Sequence, residues 1–335
     1  MTSSTVCLLP GDGIGLEVIP VAAKILDVLD VGLTTENHQI GWQCFNETGE
    51  ALPKSTLDAV MRSGLALFGA TSSPSGGAPG YSSPIIDLRQ QLNLYANVRP
   101  ARSLPVPSSR QNIDLLIIRE NTEGLYIRKE HWLDKNTAIA ERRITRASCE
   151  RVATIAAKYA QQRKGLLTIA HKSNVLTLSD GLFLQAVRDT ARNCAPDIKI
   201  REQLIDALAH DLVTKPESYD VIVTPNMYGD IISDLTSALV GGLGVAASAN
   251  VGESCTIYEP VHGSAPDIVG KNLANPTATI LSLGMMLEDL GHRDASNRLK
   301  VELNNTLAAG ICTPDLGGEA TTEIMLTSII EKLTK

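Results

Sequence analysis

Short apolar runs rich in β-branched residues alternate along this chain with longer segments of helical periodicity. Five runs have the length and composition of buried strands: Thr5–Leu9, Leu65–Phe68, Asp114–Ile118, Leu166–Ala170 and Tyr219–Thr224. Amphipathic segments lie between them, and the clearest are Gly15–Asp30, Ser148–Gln162 and Asp180–Asn193. Strands that alternate with helices of this length predict an α/β fold with a largely parallel sheet.

Charge and length narrow the class of partner. The chain has 335 residues, enough for two domains, and a net charge of -7. Nucleic acid and anionic membrane surfaces require a basic face, so we expect no nucleic acid, no membrane and a small-molecule partner.

The six cysteines are isolated in sequence, which fits a reducing compartment. Without a signal-peptide pattern, the expected location is the cytoplasm, or an organellar matrix after removal of a targeting peptide.

Two glycine-rich segments follow predicted strands. In the first, Gly11-Asp12-Gly13-Ile14-Gly15, the Rossmann fingerprint would require a further glycine at position 16, which is Leu16. This pattern favours a turn that starts the first helix over a pyrophosphate site. The second, Gly69–Ser83, is longer than a simple connection, which is typical of functional or disordered loops.

Two aspartates lie four residues apart directly after a predicted strand, at Asp230 and Asp234. On a helix this spacing places both carboxylates on one face, and no nearby Lys or Arg in the sequence balances them. Mg²⁺ and Mn²⁺ prefer such oxygen ligands, so the pattern favours a metal site over a solvated acidic helix start. A third carboxylate is needed, and Asp206 is the candidate; taken alone, an aspartate at this position is more often a helix cap.

Three arginines, Arg89, Arg99 and Arg119, lie in the first half of the chain. Arg119 directly follows an apolar strand, and a guanidinium buried there must find a carboxylate or phosphate partner. A salt bridge to Glu120 or Glu123 is the structural alternative to ligand binding. Taken singly, the other two arginines are typical of the surface.

Lys172 and Tyr126 are candidates for proton transfer. Lys172 follows the strand Leu166–Ala170. Desolvation and a neighbouring cation lower the pKa of a lysine amino group, which suits a general base. The alternative is a surface lysine whose aliphatic chain lies along apolar residues. Tyr126, seven residues after Arg119, is either a general acid or a half-buried aromatic residue.

Taken in order, these segments resemble the β-decarboxylating dehydrogenase family of isocitrate, isopropylmalate and homoisocitrate dehydrogenases. The strings that carry the resemblance run from LPGDGIGLEVIP through LYANVRP, IIRENTEGLY, HKSNVL, TPNMYGDIISDL and YEPVHGSAPDIVGKNLANPTATI to TPDLGG. The resemblance implies a two-domain α/β/α isocitrate/isopropylmalate dehydrogenase-like fold with a non-Rossmann nucleotide site and an active site in the cleft. Residues 1–95 and 242–335 would form the large nucleotide-binding domain, and residues 96–241 the small dimerisation and substrate/metal domain.

The resemblance also implies residue roles in a homodimer or higher homo-oligomer with shared active sites. Substrate carboxylates would be bound by Arg89, Arg99 and Arg119. Mg²⁺ or Mn²⁺ would be held by Asp206, Asp230 and Asp234, with Lys172 and Asp206 coming from the second subunit. Lys172 would remove the hydroxyl proton as hydride passes to NAD, and Tyr126 would protonate the enolate after CO₂ leaves. The NAD-binding residues would be Asn174, His262, Gly263, Ser264, Ala265, Asp267 and Asn275. One departure is His210, where the family more usually has methionine.

Cofactor and substrate expectations follow from a few positions. Asp267 and Ile268 stand where NADP-using relatives resemble one another in having Lys and Tyr, and a carboxylate repels a 2′-phosphate, so we expect NAD. Ser83 offers a hydrogen-bond donor to a carboxylate arm, and Ile85 stands where isocitrate enzymes have Asn. The expected substrate is therefore the 2-hydroxy tricarboxylate homoisocitrate, which would be converted to 2-oxoadipate in lysine biosynthesis. The alternatives are an isocitrate or 3-isopropylmalate dehydrogenase, or a non-catalytic ligand-binding subunit of the same family.

Overall fold

The computed structural model describes residues 5–74 and 77–334. Its strands are β1 (Thr5–Gly11), β2 (Thr34–Asn37), β3 (Leu65–Ala70), β4 (Ala96–Arg102), β5 (Asp114–Glu120), β6 (Glu130–Asp134), β7 (Thr137–Ala140), β8 (Leu166–His171), β9 (Lys199–Leu204), β10 (Val221–Thr224), β11 (Ala247–Val251) and β12 (Thr256–Pro260). Its helices are α1 (Gly15–Leu29), α2 (Trp42–Thr48), α3 (Lys54–Ser63), α4 (Pro84–Gln91), α5 (Arg146–Gln162), α6 (Ser179–Cys194), α7 (Ile205–Thr214), α8 (Asn226–Val240), α9 (Thr277–Asp289), α10 (Arg293–Ala308) and α11 (Thr322–Leu333).

The predicted alternation of strands and helices is confirmed. All five apolar runs are strands, and the three amphipathic segments are α1, α5 and α6. Strands β3 and β10 are buried at every residue, and β5 at all but its first. Parallel strands covered by helices on both faces are apolar throughout, which is why these runs show no alternation.

Residue contacts divide the chain into two compact units. The first contains the described residues of Met1–Leu92, Ser103–Gln111 and Val240–Lys335. Its strands lie in the order β2-β1-β3-β12-β11, and all are parallel except β11, which pairs antiparallel with β12.

The glycine turn after β1 packs against a loop of the same unit. Gly13 has a φ of +58°, and a Cβ there would lie 2.1 Å from the carbonyl oxygen of Ser264. The same oxygen accepts a hydrogen bond from the backbone N–H of Ile14 at 3.0 Å. Glycine is therefore required because backbone approaches backbone, and the turn starts α1 as predicted.

The second unit contains Asn93–Arg102 and Asn112–Leu239. Its strands lie in the order β4-β5-β10-β8-β9, and β4 alone pairs antiparallel with its neighbour in this set. The register pairs Thr224 with Arg119 and His171 with Leu204. The four parallel strands thus end at one edge, and the residues that follow them meet there, where α/β proteins bind ligands.

The two units differ from the predicted domain limits in one internal segment and by two or three residues at the main boundaries. Residues 103–111, which the prediction placed within 96–241, group with the first unit. Leu104 and Val106 in this segment are buried, and the segment is too short to show a period that would assign it to either unit. The nucleotide-binding and dimerisation roles of the two parts stay predictions.

The long glycine-rich stretch is anchored where it is described; Ser75 and Gly76 within it lie outside the described residues. Tyr81 Oη donates to the carbonyl oxygen of Ser72 at 2.6 Å. Its ring lies 5.1 Å from that of Trp42 and 5.4 Å from that of Phe45. Across residues 5–74 and 77–334, no helix is both long and apolar enough to cross a membrane.

Candidate active site

Arg119, at the end of β5, is buried to 1% exposure. Its Nε donates to Asn226 Oδ1 at 2.9 Å, and its Nη1 is paired with Asp230 Oδ1. The ring centroid of Tyr126 lies 5.0 Å from its guanidinium carbon. A cation buried this deeply needs anionic and hydrogen-bonding partners, and α8 supplies both.

The two glutamates next to Arg119 in sequence brace the segment between β5 and α5. Glu120 accepts hydrogen bonds from the backbone and hydroxyl of Thr122, both at 2.8 Å, and from Ser148 Oγ at 2.9 Å. Burial raises the pKa of Glu120. Glu123 accepts from the backbone and hydroxyl of Thr145 at 2.7 and 2.8 Å. These bonds fix the backbone from which Tyr126 extends.

Gly229 allows α8 to approach Arg119. A Cβ at this position would lie 2.7 Å from both Cβ and Cγ of Arg119 and 3.0 Å from Cγ2 of Thr224. Real Cβ atoms essentially never come this close, so any larger residue would move the helix or the arginine. The dipeptide Gly229-Asp230 is thus part of the site, although the sequence alone predicts a role only for the aspartate.

Arg99, on β4, also reaches the acidic face of α8. Its Nη1 donates to Ser233 Oγ at 2.7 Å and lies 3.3 Å from Asp230 Oδ1 and 3.5 Å from Asp234 Oδ1. No Lys or Arg near α8 in the sequence balances the two aspartates, but Arg99 and Arg119 do so in the fold. The arginines come from strands more than 100 residues earlier, so a search along the helix could not find them.

Tyr126 and Asp234 complete this cluster. Tyr126 Oη donates to Asp230 Oδ2. Burial, followed by this hydrogen bond, raises the pKa of Tyr126, so the phenol keeps its proton at neutral pH, as a general acid must. Asp234 is 53% exposed; burial of its inner part raises its pKa, and Arg99 opposes the shift.

Lys172 and Asp206 form a separate pair, at the ends of β8 and β9. Lys172 Nζ donates to Asp206 Oδ1 at 2.6 Å, and this hydrogen bond lowers the pKa of Asp206. Within the described residues, Asp206, Asp230 and Asp234 do not form a group whose ligand oxygens all lie within 4.8 Å of one another. One chain thus brings together two of the three predicted metal ligands.

In the first unit, Arg89 is held by a buried carboxylate. Its Nη2 donates to Glu259 Oε1 at 2.8 Å, and the same oxygen accepts from Asn250 Nδ2 at 2.7 Å. The buried Nε of Arg89 has no hydrogen-bond partner among the described residues. Ser83 occupies the N-cap position of α4, and its hydroxyl makes no capping hydrogen bond. Arg89 Nε and the Ser83 hydroxyl are thus donors that helix α4 does not use.

The loop after β12 contains most of the predicted NAD-binding residues. His262 Nδ1 lies 3.0 Å from the carbonyl oxygen of Gly263, while its buried Nε2 has no partner in the described part of the chain. Burial lowers the pKa of His262, so the imidazole is neutral at neutral pH. Ala265 has a φ of +41°, and Ser264 Oγ accepts a hydrogen bond from Ser72 at 2.8 Å.

The remaining predicted cofactor residues differ in exposure. Asn275 is buried, donates to Asp315 Oδ2 at 2.9 Å and accepts from the backbone N–H of Thr277 at 3.0 Å. Asp267 and Asn174 are exposed. Their side chains are therefore accessible to a ligand, whereas Asn275 fixes the end of the loop.

Asp12, which the sequence analysis does not single out, holds three segments together. Its carboxylate accepts from the backbone N–H groups of Trp42, Gln43 and Ser72 at 2.7 to 2.8 Å. The available signal is an aspartate between two glycines directly after a strand, where a short acceptor can bind nearby backbone donors. Its role here is to fix the loops beside the glycine turn.

Known proteins resemble this chain along almost its whole length. The family model described as isocitrate/isopropylmalate dehydrogenase matches residues 5–333. The chain belongs to the isocitrate/isopropylmalate dehydrogenase family. It is therefore a dehydrogenase, and the predicted fold is confirmed.

Individual members of the isocitrate/isopropylmalate dehydrogenase family carry different names. The isocitrate/homoisocitrate dehydrogenase of Thermus thermophilus is 47% identical over 330 residues, covering 98% of each chain. The 3-isopropylmalate dehydrogenase of Methanothermobacter thermautotrophicus is 42% identical over 336 residues, covering 99% of each chain. The crystal structure of isocitrate dehydrogenase from Methylococcus capsulatus matches with a TM-score of 0.94 at 37% identity, covering 99% of each chain.

In this member of the isocitrate/isopropylmalate dehydrogenase family, the predicted residues fall into three groups, apart from Asn174 in the exposed turn after Lys172. Arg99, Arg119, Tyr126, Asp230 and Asp234 converge at one edge of the second unit. Lys172 and Asp206 pair with each other. Ser83, Arg89 and the residues of the 262–275 loop belong to the first unit.

Proposed function

We propose that this protein is a metal-dependent, NAD-linked enzyme that oxidises and decarboxylates homoisocitrate to 2-oxoadipate. The observation that carries the reaction class is the convergence of Arg99, Arg119 and Tyr126 on the acidic face of α8. Two buried guanidinium groups suit the carboxylates of a 2-hydroxy acid, because planar donors bind carboxylates in two-point contacts. A protonated phenol beside them suits protonation of a carbon.

Asp230 and Asp234 fit a hard cation by donor type, since both offer carboxylate oxygens on one helix face. Asp206 of a second copy would supply the third carboxylate. When bound, Mg²⁺ or Mn²⁺ would act as a Lewis acid toward negative charge at the C2 oxygen of the substrate.

The proton steps belong to the chain itself. Lys172, from the second copy, would take the proton of the substrate's C2 hydroxyl as hydride leaves C2 for the nicotinamide. Arg89, Arg99 and Arg119 would hold the carboxylates and so fix the orientation of the carbon that loses CO₂. Tyr126 Oη would then return a proton to that carbon, and its raised pKa matches this role.

We assign binding of the substrate's carboxylate arm to residues at the start of α4. Ser83 lies at its N-cap with a hydroxyl that is not used for capping, and Ile85 and Arg89 are four residues apart on one helix face. An isopropyl arm would need an apolar wall, whereas a carboxylate needs a donor such as this hydroxyl. The Thermus relative is named isocitrate/homoisocitrate dehydrogenase, which supports a substrate with a carboxylate arm.

The nicotinamide cofactor is assigned to the loop that contains His262, Asp267 and Asn275. The exposed carboxylate of Asp267 would accept hydrogen bonds from ribose hydroxyls and repel a 2′-phosphate, which favours NAD over NADP. The buried Nε2 of His262 offers an acceptor to the cofactor. Isocitrate or 3-isopropylmalate remains the alternative substrate. A non-catalytic subunit is the further alternative, although Lys172 and Tyr126 are both present.

A substrate panel tests the proposal. We expect kcat/KM with Mg²⁺ to be highest for homoisocitrate among homoisocitrate, isocitrate, 3-isopropylmalate and tartrate, and higher with NAD than with NADP. Ser83→Ala should lower kcat/KM for homoisocitrate more than for 3-isopropylmalate. Ser82→Ala is the matched control, because the Ser82 hydroxyl is engaged with Asp87 at 2.8 Å. A panel led by 3-isopropylmalate would contradict the role of Ser83, and one led by isocitrate would contradict the argument from Ile85.

A further inference from the structure

A buried carboxylate lies next to the turn that follows Lys172. The proposed mechanism does not use it. Asp180, in the first turn of α6, is 0% exposed. Its Oδ2 accepts a hydrogen bond from the backbone N–H of Lys172 at 2.6 Å. The backbone N–H of Asp180 in turn donates to the carbonyl oxygen of Leu176 at 3.0 Å. The Asp180 carboxylate thus ties the end of the segment from Lys172 to Asp180 back to its beginning.

Arg142 connects this carboxylate to helix α8. Its Nη1 lies 2.5 Å from Asp180 Oδ1 and donates to Ser179 Oγ at 2.8 Å. The guanidinium carbon lies 5.5 Å from the ring centroid of Tyr228, two residues before Asp230. Burial and the charge of Asp180 raise the pKa of Tyr228, which agrees with the three groups being neighbours. A continuous set of contacts therefore runs from the Lys172 backbone to the helix that carries the metal-binding aspartates.

The buried ion pair between Arg142 and Asp180 contributes little net stability to the fold. Desolvation of both charges often equals or exceeds their attraction, so apolar residues of similar size would serve stability as well. What the Asp180 carboxylate adds is direction, because its charge-assisted hydrogen bond to a backbone N–H fixes geometry more tightly than an apolar contact does. The group fixed here is the peptide N–H of Lys172, the residue assigned to proton transfer.

We propose that Asp180 is a positioning residue for Lys172: paired with Arg142, it fixes the turn from which the lysine extends toward the site of the second copy. The inference rests on the proposed role of Lys172. A displacement of about 1 Å at a catalytic group can lower the rate about 100-fold, so loss of this anchor should act on kcat. It should leave binding of the acid close to normal, because the arginines assigned to the substrate carboxylates lie outside the segment from Lys172 to Asp180.

Asp180→Asn tests the inference, since it keeps the shape of the side chain and removes the charge that binds Arg142. We expect kcat to fall between about 10-fold and 100-fold, with the KM value for the acid within about threefold of the original. Asp189→Asn, on the same helix but 51% exposed, is the matched control and should leave kcat unchanged. Arg142→Lys, which keeps the charge but loses the planar guanidinium, provides a milder second variant if Asp180→Asn does not fold.

A double-mutant cycle separates positioning from a general structural effect. In a Lys172→Met background, Asp180→Asn should cause no further loss of kcat, because the group it positions is already absent. An equal loss in both backgrounds, or a folded Asp180→Asn enzyme with unchanged kcat, would overturn the inference. A near-normal kcat for Lys172→Met alone would instead refute the proposed role of Lys172, and the inference with it. The kcat of Lys172→Met alone thus tests the proposed role of Lys172, and the kcat of Asp180→Asn alone tests its positioning.

Discussion

Asp230 is the residue on which the charges of the site depend. It is paired with Arg119, lies near Arg99 and accepts a hydrogen bond from Tyr126. Its carboxylate therefore orients two cations and one proton donor before any ligand arrives. A divalent cation bound to the same oxygens would share them with the arginines and make the cluster positive, which suits an anionic substrate.

Asp230→Asn should nearly abolish turnover. The substitution removes one negative metal ligand and the charge that pairs with buried Arg119, so both metal affinity and orientation of the arginine suffer. Steady-state kinetics over a range of Mn²⁺ concentrations measure both effects, with Asp27→Asn, an exposed carboxylate on α1, as the control. Turnover at the original rate and metal dependence in Asp230→Asn would remove Asp230 from the site.

The burial and charge requirements of a single residue can be predicted from the sequence when they depend on its neighbours in the chain. Burial of Arg119 and its need for an anion follow from its place at the end of an apolar strand. The identity of that anion does not, because Asp230 is 111 residues away. The same separation hides the arginines from any search around Asp230.

At the scale of elements, the site depends on how closely α8 packs against the end of β5. Gly229→Ala would place a methyl group 2.7 Å from Arg119 Cβ. Overpacking of this kind costs about 1–3 kcal/mol, and displacement of α8 should also raise the KM for the acid. Thermal unfolding and kinetics measure the two effects.

Gly181→Ala, in α6, is the matched control for that prediction. A Cβ at position 181 meets no atom within 4 Å, so alanine should stabilise the helix by about 0.5–1 kcal/mol. Equal stability and KM for Gly229→Ala and the unmodified enzyme would show that α8 can shift without consequence.

The strands and helices that can be predicted from the sequence are those that bury apolar side chains in the core. Runs such as β5 and β10 are apolar because helices cover them, and α1, α5 and α6 have one buried face. The ribbon β6–β7 escapes prediction, because its adjacent apolar residues Trp132 and Leu133 are both exposed and show no alternation. Gly229 escapes as well, since a close approach between distant segments leaves no local pattern.

At the scale of the molecule, one chain brings together two of the three residues proposed as metal ligands. Asp206 pairs with Lys172 and does not join Asp230 and Asp234. If a second copy supplies Asp206, then a mixed dimer of Asp206→Asn and Asp230→Asn chains contains one intact site and one doubly altered site.

Mixing the two inactive variants should therefore restore activity. Random pairing makes half of the dimers mixed, each with one intact site of two, so we expect about a quarter of the original activity. The measurement is the rate after co-refolding of differently tagged chains, with each variant refolded alone as its control. A mixture as inactive as its parents would contradict shared sites.

The most direct test of metal-dependent oxidative decarboxylation is to measure NADH and CO₂ together from homoisocitrate on the purified chain. Hydride transfer followed by loss of CO₂ predicts equal amounts of the two products. We expect both to disappear in excess EDTA and to return together when Mg²⁺ or Mn²⁺ is added back. NADH formed without CO₂, or full formation of both products in EDTA, would contradict the account.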